Sequence, residues 1–244
     1  MKRPLFANTG SLSMISFFRK TVDKPQRGIL PLDTQVKAWR KANSKMNWNI
    51  GQAEFESIGP EPEISQVDRR DGFAGIILSY GFGDDGHGHS DASLSGQCAW
   101  DFAVKRRKPK TWQCEYIDFE HSEHFRLRPS APLRPKGFYF SKFRQGERFQ
   151  HLTVTEFRKR LGPQDTGCGP EGFQLLTITH PHWASLMNSR QIMFMTFADY
   201  DVAPYGYDDF FDAPQMFCSN DTLGLGIGHV DRNYPLFGMP TLRL

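Results

Sequence analysis

Long apolar runs are absent from this sequence, and cysteine is scarce. No apolar segment approaches the roughly 18–20 residues that a membrane-crossing helix requires, so we expect no membrane partner. The 4 cysteines include no Cys-x-x-Cys pair and are too few in 244 residues for a disulfide framework. The N-terminal residues lack the clean small-residue cleavage site of a signal peptide. We therefore expect a cytoplasmic protein with reduced thiols.

Lysine is missing after residue 160, which reflects an uneven distribution of charge along the chain. Residues 1–104 carry 12 basic and 12 acidic side chains. Residues 105–160, here called the basic middle, carry 15 basic and 6 acidic side chains, a net charge of +9. Residues 161–244, the acidic third, carry 3 basic and 9 acidic side chains, a net charge of −6. A basic block binds phosphate polyanions or docks on an acidic surface, and the sequence leaves both open.

Aromatic residues and turn formers, by contrast, are abundant. Aromatic side chains make up 14% of the chain, which also contains 22 glycines and 16 prolines. Frequent turns with few long helical patterns predict an α+β fold, with a single domain, a strand-rich and mostly antiparallel core and a few short helices. Residues 1–35 lack a sustained period and are predicted to form an irregular N-terminal arm, followed by the domain at 36–244.

Apolar periodicity and end signals place several elements in this domain. Residues 33–46 and 154–161 are predicted to be helices, the second opened by a capping box of Thr153 and Glu156. A further helix is predicted to begin at Pro170. Strands are predicted at residues 73–80, 99–104, 111–119, 124–128, 137–143, 191–198 and 240–244.

The basic middle combines clustered positive charge with aromatic residues. Five positive charges fall within six residues, at Lys105, Arg106, Arg107, Lys108 and Lys110. Such a cluster can contact successive phosphates and release their counterions. Aromatic rings suited to stacking on bases follow at Trp112, Phe138 and Phe140.

Residues 136–143, KGFYFSKF, resemble the RNP1 motif of RNA-recognition (RRM) domains. The positions that match the motif are Lys136, Gly137, Phe138, Phe140 and Phe143. The resemblance covers 8 of the 244 residues and implies that bases stack on Phe138 and Phe140, on one face of a sheet. The leading functional hypothesis is therefore a binding protein that contacts nucleic acid through the basic middle. The alternative is that the basic turn is simply solvated and the phenylalanines belong to the core.

A glycine-rich loop at residues 81–91 offers a candidate metal site. Asp85, His87 and His89 fall within five residues, and carboxylate and imidazole are ligands of zinc, iron and manganese. A divalent metal bound there would be the cofactor of a hydrolase. The alternative is a hydrated turn, in which aspartate and glycine are common.

A cysteine nucleophile is a second route to a hydrolase. Residues 96–104, GQCAWDFAV, resemble the nucleophile segment of CHAP-type amidases, and residues 228–230, GHV, echo that family's histidine segment. The resemblance implies that Cys98 is a nucleophile at the start of a helix and that His229 is its base. The separation of 131 residues between the two is longer than the family's pattern.

The acidic third carries five aspartates between residues 199 and 212, interspersed with tyrosine and phenylalanine. These carboxylates either complement the basic middle within the fold or meet the basic face of a neighbouring copy. The second arrangement would make the protein a structural or assembly protein and a homo-oligomer. Whether the protein is an enzyme stays open at this point.

Overall fold

The computed structural model describes residues 28–83, 91–106, 109–117, 119, 124–203 and 209–244, with the backbone alone described at 91–93. The fold is α+β, as the composition predicts. Helices α1 to α7 in the described residues are Leu32–Met46, Gln52–Glu56, Gln66–Arg70, Asp91–Arg106, Val154–Arg160, Pro170–Gln174 and Trp183–Asn188. Strands β1 to β11 are Gly75–Gly81, Lys110–Gln113, Phe125–Leu127, Gly137–Arg144, Thr166–Gly167, Phe194–Thr196, Tyr200–Val202, Asp212–Ser219, Thr222–His229, Phe237–Gly238 and Thr241–Arg243.

The strands form two sheets in which most pairs are antiparallel. The first sheet has the order β1-β4-β11-β5 and its pairs are all antiparallel. In the second sheet, one edge of β8 pairs with β9 along its whole length. The other edge of β8 pairs with β7 at its first residue and with β6 near its middle. Strand β2 pairs in parallel with β9, β10 pairs in parallel with β6, and β3 pairs with β7. None of the helices in the described ranges has the length and apolar character needed to cross a membrane.

The helices cover the sheets around a shared hydrophobic core. Helix α1 buries Trp39 and Ala42 completely, and the indole Nε1 of Trp39 donates to the carbonyl oxygen of Leu78 at 3.0 Å, which ties α1 to β1. Helix α6 continues into a π-helical turn at Leu175–Thr179, against which both α1 and α4 pack. This turn therefore lies where the two longest helices meet.

Local sequence signals fix the ends of several elements. The predicted capping box forms at the start of α5, where the Thr153 hydroxyl accepts from the Glu156 amide at 3.1 Å and the Glu156 carboxylate accepts from the Thr153 amide at 3.0 Å. Helix α1 ends at Met46 and is capped by Asn47, which adopts the left-handed conformation. The β8–β9 hairpin turns at Asn220 and Asp221, whose φ values of 48° and 57° suit a two-residue loop.

One predicted strand is wrong, because residues 99–104 belong to helix α4. Ala99, Trp100 and Ala103 are all buried, and their spacing places them on one helical face. A short apolar run of this kind suits a buried strand and a buried helix equally well, so periodicity alone does not separate them. Helix α1 begins at Leu32, inside the predicted arm, while residues 1–27 lie outside the described residues.

Ion pairs join the basic middle to the acidic third within one chain. The pairs, with nitrogen-to-oxygen distances from 2.6 to 3.1 Å, are Arg128–Asp199, Arg134–Asp199, Arg134–Glu171, Arg144–Asp165 and Arg158–Asp201. Several arginines of the basic middle are thus neutralised inside the fold. Asp199 and Asp201 of the acidic third likewise meet their cations without a neighbouring copy.

A buried histidine, His180, accepts a hydrogen bond from the segment at the start of the described residues. The Leu30 amide donates to Nε2 of His180 at 2.8 Å. Because Nε2 accepts, the neutral ring carries its proton on Nδ1, which lies 2.8 Å from the Thr179 hydroxyl. Burial, with a smaller contribution from His182, lowers the pKa of His180 from 6.5 to about 3. The folded protein therefore holds His180 in its neutral form.

Acid should destabilise the protein through His180. The unfolded chain takes up a proton near pH 6.5 and the folded chain does so only near pH 3, so the stabilisation is fully present above 6.5 and is lost as pH falls between these values. The free energy of unfolding should fall by up to ~1.4 kcal/mol per pH unit. Urea denaturation at about pH 7, 6 and 5 measures this slope. The variant His180→Gln keeps an acceptor and does not titrate, so an unchanged slope in it would contradict the assignment.

Candidate nucleic-acid interface

The clustered positive charge begins in the last turn of α4 and ends at the first residue of β2. Lys105 and Arg106 end α4, where cations interact favourably with the negative end of the helix dipole, and Lys110 begins β2. Arg107 and Lys108 lie outside the described residues. Within the part of the chain that the structure describes, no ion pair neutralises Lys105, Arg106 or Lys110. These cations therefore differ from the paired arginines farther along the basic middle.

Two lysines of α1 lie beside this cluster. A hollow of about 310 Å³ opens between α1, α4 and residues 178–182, and Lys41, Lys45 and Arg106 line it. The Nζ atom of Lys105 donates to the carbonyl oxygen of Lys45 at 2.8 Å, which links the ends of the two helices. Residues separated by about 60 positions thus bring their positive charges to one surface.

The hollow continues along the surface to the β8–β9 turn. A narrow hollow lined by both Arg106 and Pro109 leads to a larger one of about 680 Å³ beside Lys110. Pro181 lines all three hollows, so we treat them as one feature, the basic groove. Its positively charged or titratable lining consists of Lys41, Lys45, Arg106, Lys110 and His182. Asp221 is the one carboxylate among the described lining residues.

Apolar and partly desolvating surroundings adjoin the cations of the basic groove. Arg106 is exposed, but the partial desolvation of its guanidinium by neighbouring atoms lowers the pKa of that group below its ordinary range. The Lys45 ammonium lies 5.9 Å from the centre of the Phe102 ring, which supplies an apolar wall. A charge beside apolar surface is less screened than one in bulk water. Ile178 and Thr179, at the end of the π-helical turn, also line the groove, and such turns are frequent at functional sites.

Aromatic residues are aligned across one face of the second sheet. Trp112 of β2 is opposite Gly224 of β9, and Gly224 is opposite Phe217 of β8. The β6–β8 register continues this line to Phe194, which is paired with Phe237 of β10. Residues opposite one another in a sheet share a face, so these side chains lie side by side over five adjacent strands, about 19 Å across.

The rings of this line are in contact and open to solvent. The aromatic row, as we call it, has Trp112–Phe217, Phe217–Phe194 and Phe194–Phe237 ring centres 6.0, 6.1 and 5.2 Å apart, and Tyr234 extends it with its ring centre 6.0 Å from that of Phe237. Trp112 is 51% exposed, and the other four are half-buried. On the opposite face of β6, β8 and β9, the side chains of Met195, Met216, Cys218, Leu223 and Leu225 are buried, so the row is on the solvent side of the sheet.

A glycine lets the rings of the aromatic row lie close to the sheet. A Cβ atom at Gly224 would be 2.4 Å from the Phe217 ring, which means that the ring occupies the space of the missing side chain. A Cβ atom at Gly226 would likewise have atoms of both Trp112 and Phe217 within 4 Å. Lys110 is two residues from Trp112 on β2, and alternation along the strand gives both side chains the same face. The basic groove and the aromatic row therefore meet at β2.

The RNP1-like segment forms β4, and its phenylalanines pack inward. The Phe138 ring centre is 4.9 Å from that of Tyr80, 5.0 Å from that of Phe55 and 5.8 Å from that of Trp39. Phe140 is partly buried against the same core. Helices α1 and α2 thus cover the face on which the resemblance would place bases. The stacking role assigned to Phe138 and Phe140 stays a prediction that this packing does not favour.

The two residues of the predicted thiol site lie on separate elements. Cys98 is in the middle of α4 rather than in its first turn, and burial, together with the charge of Asp101, raises the pKa of its thiol to about 12. His229 ends β9, where its ring stacks on Phe211 with ring centres 6.0 Å apart. In the described part of the chain, no hydrogen bond or ring contact joins Cys98 to His229. A thiol in this environment is a poor nucleophile near neutral pH.

The predicted metal ligands Asp85, His87 and His89 lie outside the described residues, so the metal site stays a prediction. Within the described ranges, no group of three or more His, Cys, Asp or Glu side chains is arranged to hold a metal ion.

Sequence reasoning predicted part of this candidate interface and missed the rest. It named Arg106 and Lys110, which line the basic groove, Lys105, which donates to Lys45 beside the groove, and Trp112, which belongs to the aromatic row. It missed Lys41 and Lys45, although their spacing of four residues on a predicted helix is a signal that both share a face. It also missed Phe194, Phe217 and Phe237, for which alternate glycines in the β9 sequence LGLGIG are the only local hint.

Known proteins add no further constraint on this interface. Comparisons with protein-family models, with curated proteins and with solved structures found no match to this chain.

Proposed function

We propose that this protein binds nucleic acid through the basic groove. One observation carries the proposal: cations from α1, α4 and β2 converge on a continuous surface, and those described there are not neutralised by carboxylates of the chain. Lysine and arginine that face solvent in a groove bind phosphates by releasing counterions. The lining also includes apolar residues, among them Phe102 and Pro181.

The distribution of ion pairs supports this reading over an assembly function. Four arginines of the basic middle are paired with Asp199, Glu171, Asp165 and Asp201 within the chain. An assembly function would need these carboxylates to be available to a neighbouring copy. The described cations that line the basic groove are free of such ion pairs, and the groove has one acidic lining residue among those described.

The proposal predicts salt-dependent binding of oligonucleotides. Fluorescence anisotropy with labelled oligonucleotides should give micromolar or tighter dissociation constants at about 50 mM salt, weakening steeply towards about 200 mM. Each phosphate contact contributes about −0.7 to the slope of log K against log salt for a single strand. The four cations Lys41, Lys45, Arg106 and Lys110 therefore predict a slope near −3. Absence of binding at the lower salt would refute the proposal.

A further inference from the structure

We infer that the aromatic row is a base-stacking surface and that the nucleic acid bound here is single-stranded. This inference rests on the proposed function, because it takes the basic groove as the site of the phosphates. The residues newly assigned to a ligand are Phe217, Phe194, Phe237 and Tyr234, in addition to Trp112.

The row has the form that stacking on bases requires. Four of the rings lie on strands of one sheet face, Tyr234 adjoins them from the loop before β10, and successive ring centres are 5.2 to 6.1 Å apart. The Phe217 ring lies over Gly224, and the Trp112 ring is tilted against it with an angle of 49° between the ring planes. The rings pack against one another, and part of each ring surface remains exposed to solvent. Bases of any sequence can stack on such rings, because every base has a π-face.

The basic groove leads directly to this surface. Thr222 lines the large hollow beside Lys110 and also the hollow of about 300 Å³ formed by Trp112 and Phe217. A strand whose phosphates follow Arg106 and Lys110 would therefore bring its next bases over Trp112. The apolar rings alone would suit several ligands, and the adjoining positive charge selects a polyanion with flat, apolar bases.

Single-stranded nucleic acid fits this combination better than a duplex. In a duplex the faces of the bases are stacked on one another and are not accessible to protein side chains. A row of rings can receive bases only where they are unstacked. Duplex contacts would be limited to the phosphates, so a duplex should bind more weakly than a single strand of equal length.

The test compares a single strand of about 16 nucleotides with a duplex of the same length, using wild type, Trp112→Ala, Phe217→Ala and Trp112→Phe. Both alanine variants should weaken single-strand binding about tenfold or more, and duplex binding by less than about twofold. Trp112→Phe keeps a ring and should retain most of the affinity. Phe211→Ala is the matched control, since Phe211 is an exposed ring outside the row at 38% exposure.

The outcomes separate this inference from the proposed function. If both oligonucleotides bind with the expected salt slope and Trp112→Ala changes neither affinity, the basic groove stands and the stacking surface is overturned. Equal or tighter binding of the duplex overturns it too. If neither oligonucleotide binds at low salt, the proposed function itself fails. If Trp112→Ala changes the oligomeric mass in light scattering and leaves single-strand affinity intact, the row is a contact between copies and the inference is wrong.

Discussion

Replacing Arg134 with methionine should destabilise the protein by about 3–5 kcal/mol, because it leaves two buried carboxylates without their shared cation. The Arg134 guanidinium lies 2.6 Å from Glu171 and 2.9 Å from Asp199, and all three side chains are completely buried. Burial opposes the charge on Arg134, but the two carboxylates outweigh it and raise its pKa above the ordinary range. Arg134 is therefore charged at any pH at which the fold exists.

Asp199 keeps its ion pair with Arg128 at 3.1 Å, so most of the loss is expected to arise at Glu171. Glu171 also accepts from the Tyr139 hydroxyl at 2.9 Å and from the Gly169 amide at 3.1 Å. These neutral donors hold the carboxylate in place but carry no compensating charge. Without Arg134, Glu171 must take up a proton or remain a buried anion, and either outcome costs free energy.

Urea denaturation at pH 7 measures this effect, with Lys142→Met as the comparison. Lys142 lies 2.7 Å from Asp68, but its side chain is 28% exposed, so its loss should cost about 1 kcal/mol or less. The double variant Arg134→Met with Glu171→Gln should recover part of the loss, because one buried negative charge is removed with the cation. Equal destabilisation by Arg134→Met and Lys142→Met would contradict the role assigned to the buried network.

Neutralising three cations of the basic groove should reduce affinity for a single-stranded oligonucleotide by about 100-fold at about 50 mM salt. The variant carries Lys41→Gln, Lys45→Gln and Arg106→Gln. The salt slope should become shallower by about 2, since each lost contact removes about 0.7. The two lysines are exposed on α1, so the fold should tolerate their replacement.

A matched variant separates this local effect from that of net charge. Arg69, Lys159 and Arg160 are exposed residues that line none of the three hollows, and their replacement by glutamine changes the net charge by the same amount. This control should change affinity by less than about threefold. Similar losses of affinity in the two triple variants would mean that the net charge of the whole protein, rather than the basic groove, attracts the oligonucleotide.

The elements that the sequence predicts correctly are those with local signals of their own. The capping box of Thr153 and Glu156 fixes the start of α5, and the continuous apolar run around Ile77 forms β1 as predicted. Helix α4 was predicted in part as a strand, because Ala99 to Ala103 form a short apolar run without a visible end signal. Short-range rules therefore work where a cap or a turn marks the boundary.

The candidate interface depends on tertiary packing and strand register, which no local sequence pattern encodes. The basic cluster is visible in the sequence, but Lys41 joins Arg106 only because α1 and α4 pack on the same π-helical turn. The aromatic row depends on the register of β2, β9, β8, β6 and β10, which are not consecutive in the sequence. Phe138 shows the converse, since its alternating pattern suits a platform while α2 covers its ring. Pairing and covering of this kind are set by tertiary structure.

Strand β11 has a consequence for the order of events in folding. It is inserted between β4 and β5, and Leu242 pairs with Phe143, which precedes it by about 100 residues. During synthesis β4 leaves the ribosome long before β11 does. The edge of β4 that pairs with β11 therefore stays unpaired while about 100 further residues are translated. Closing so long a loop is entropically slow, and a nascent chain with an unpaired strand edge is open to aggregation. We therefore expect completion of the first sheet, rather than formation of the α1–β1 unit, to limit the rate at which the newly made protein becomes resistant to proteolysis.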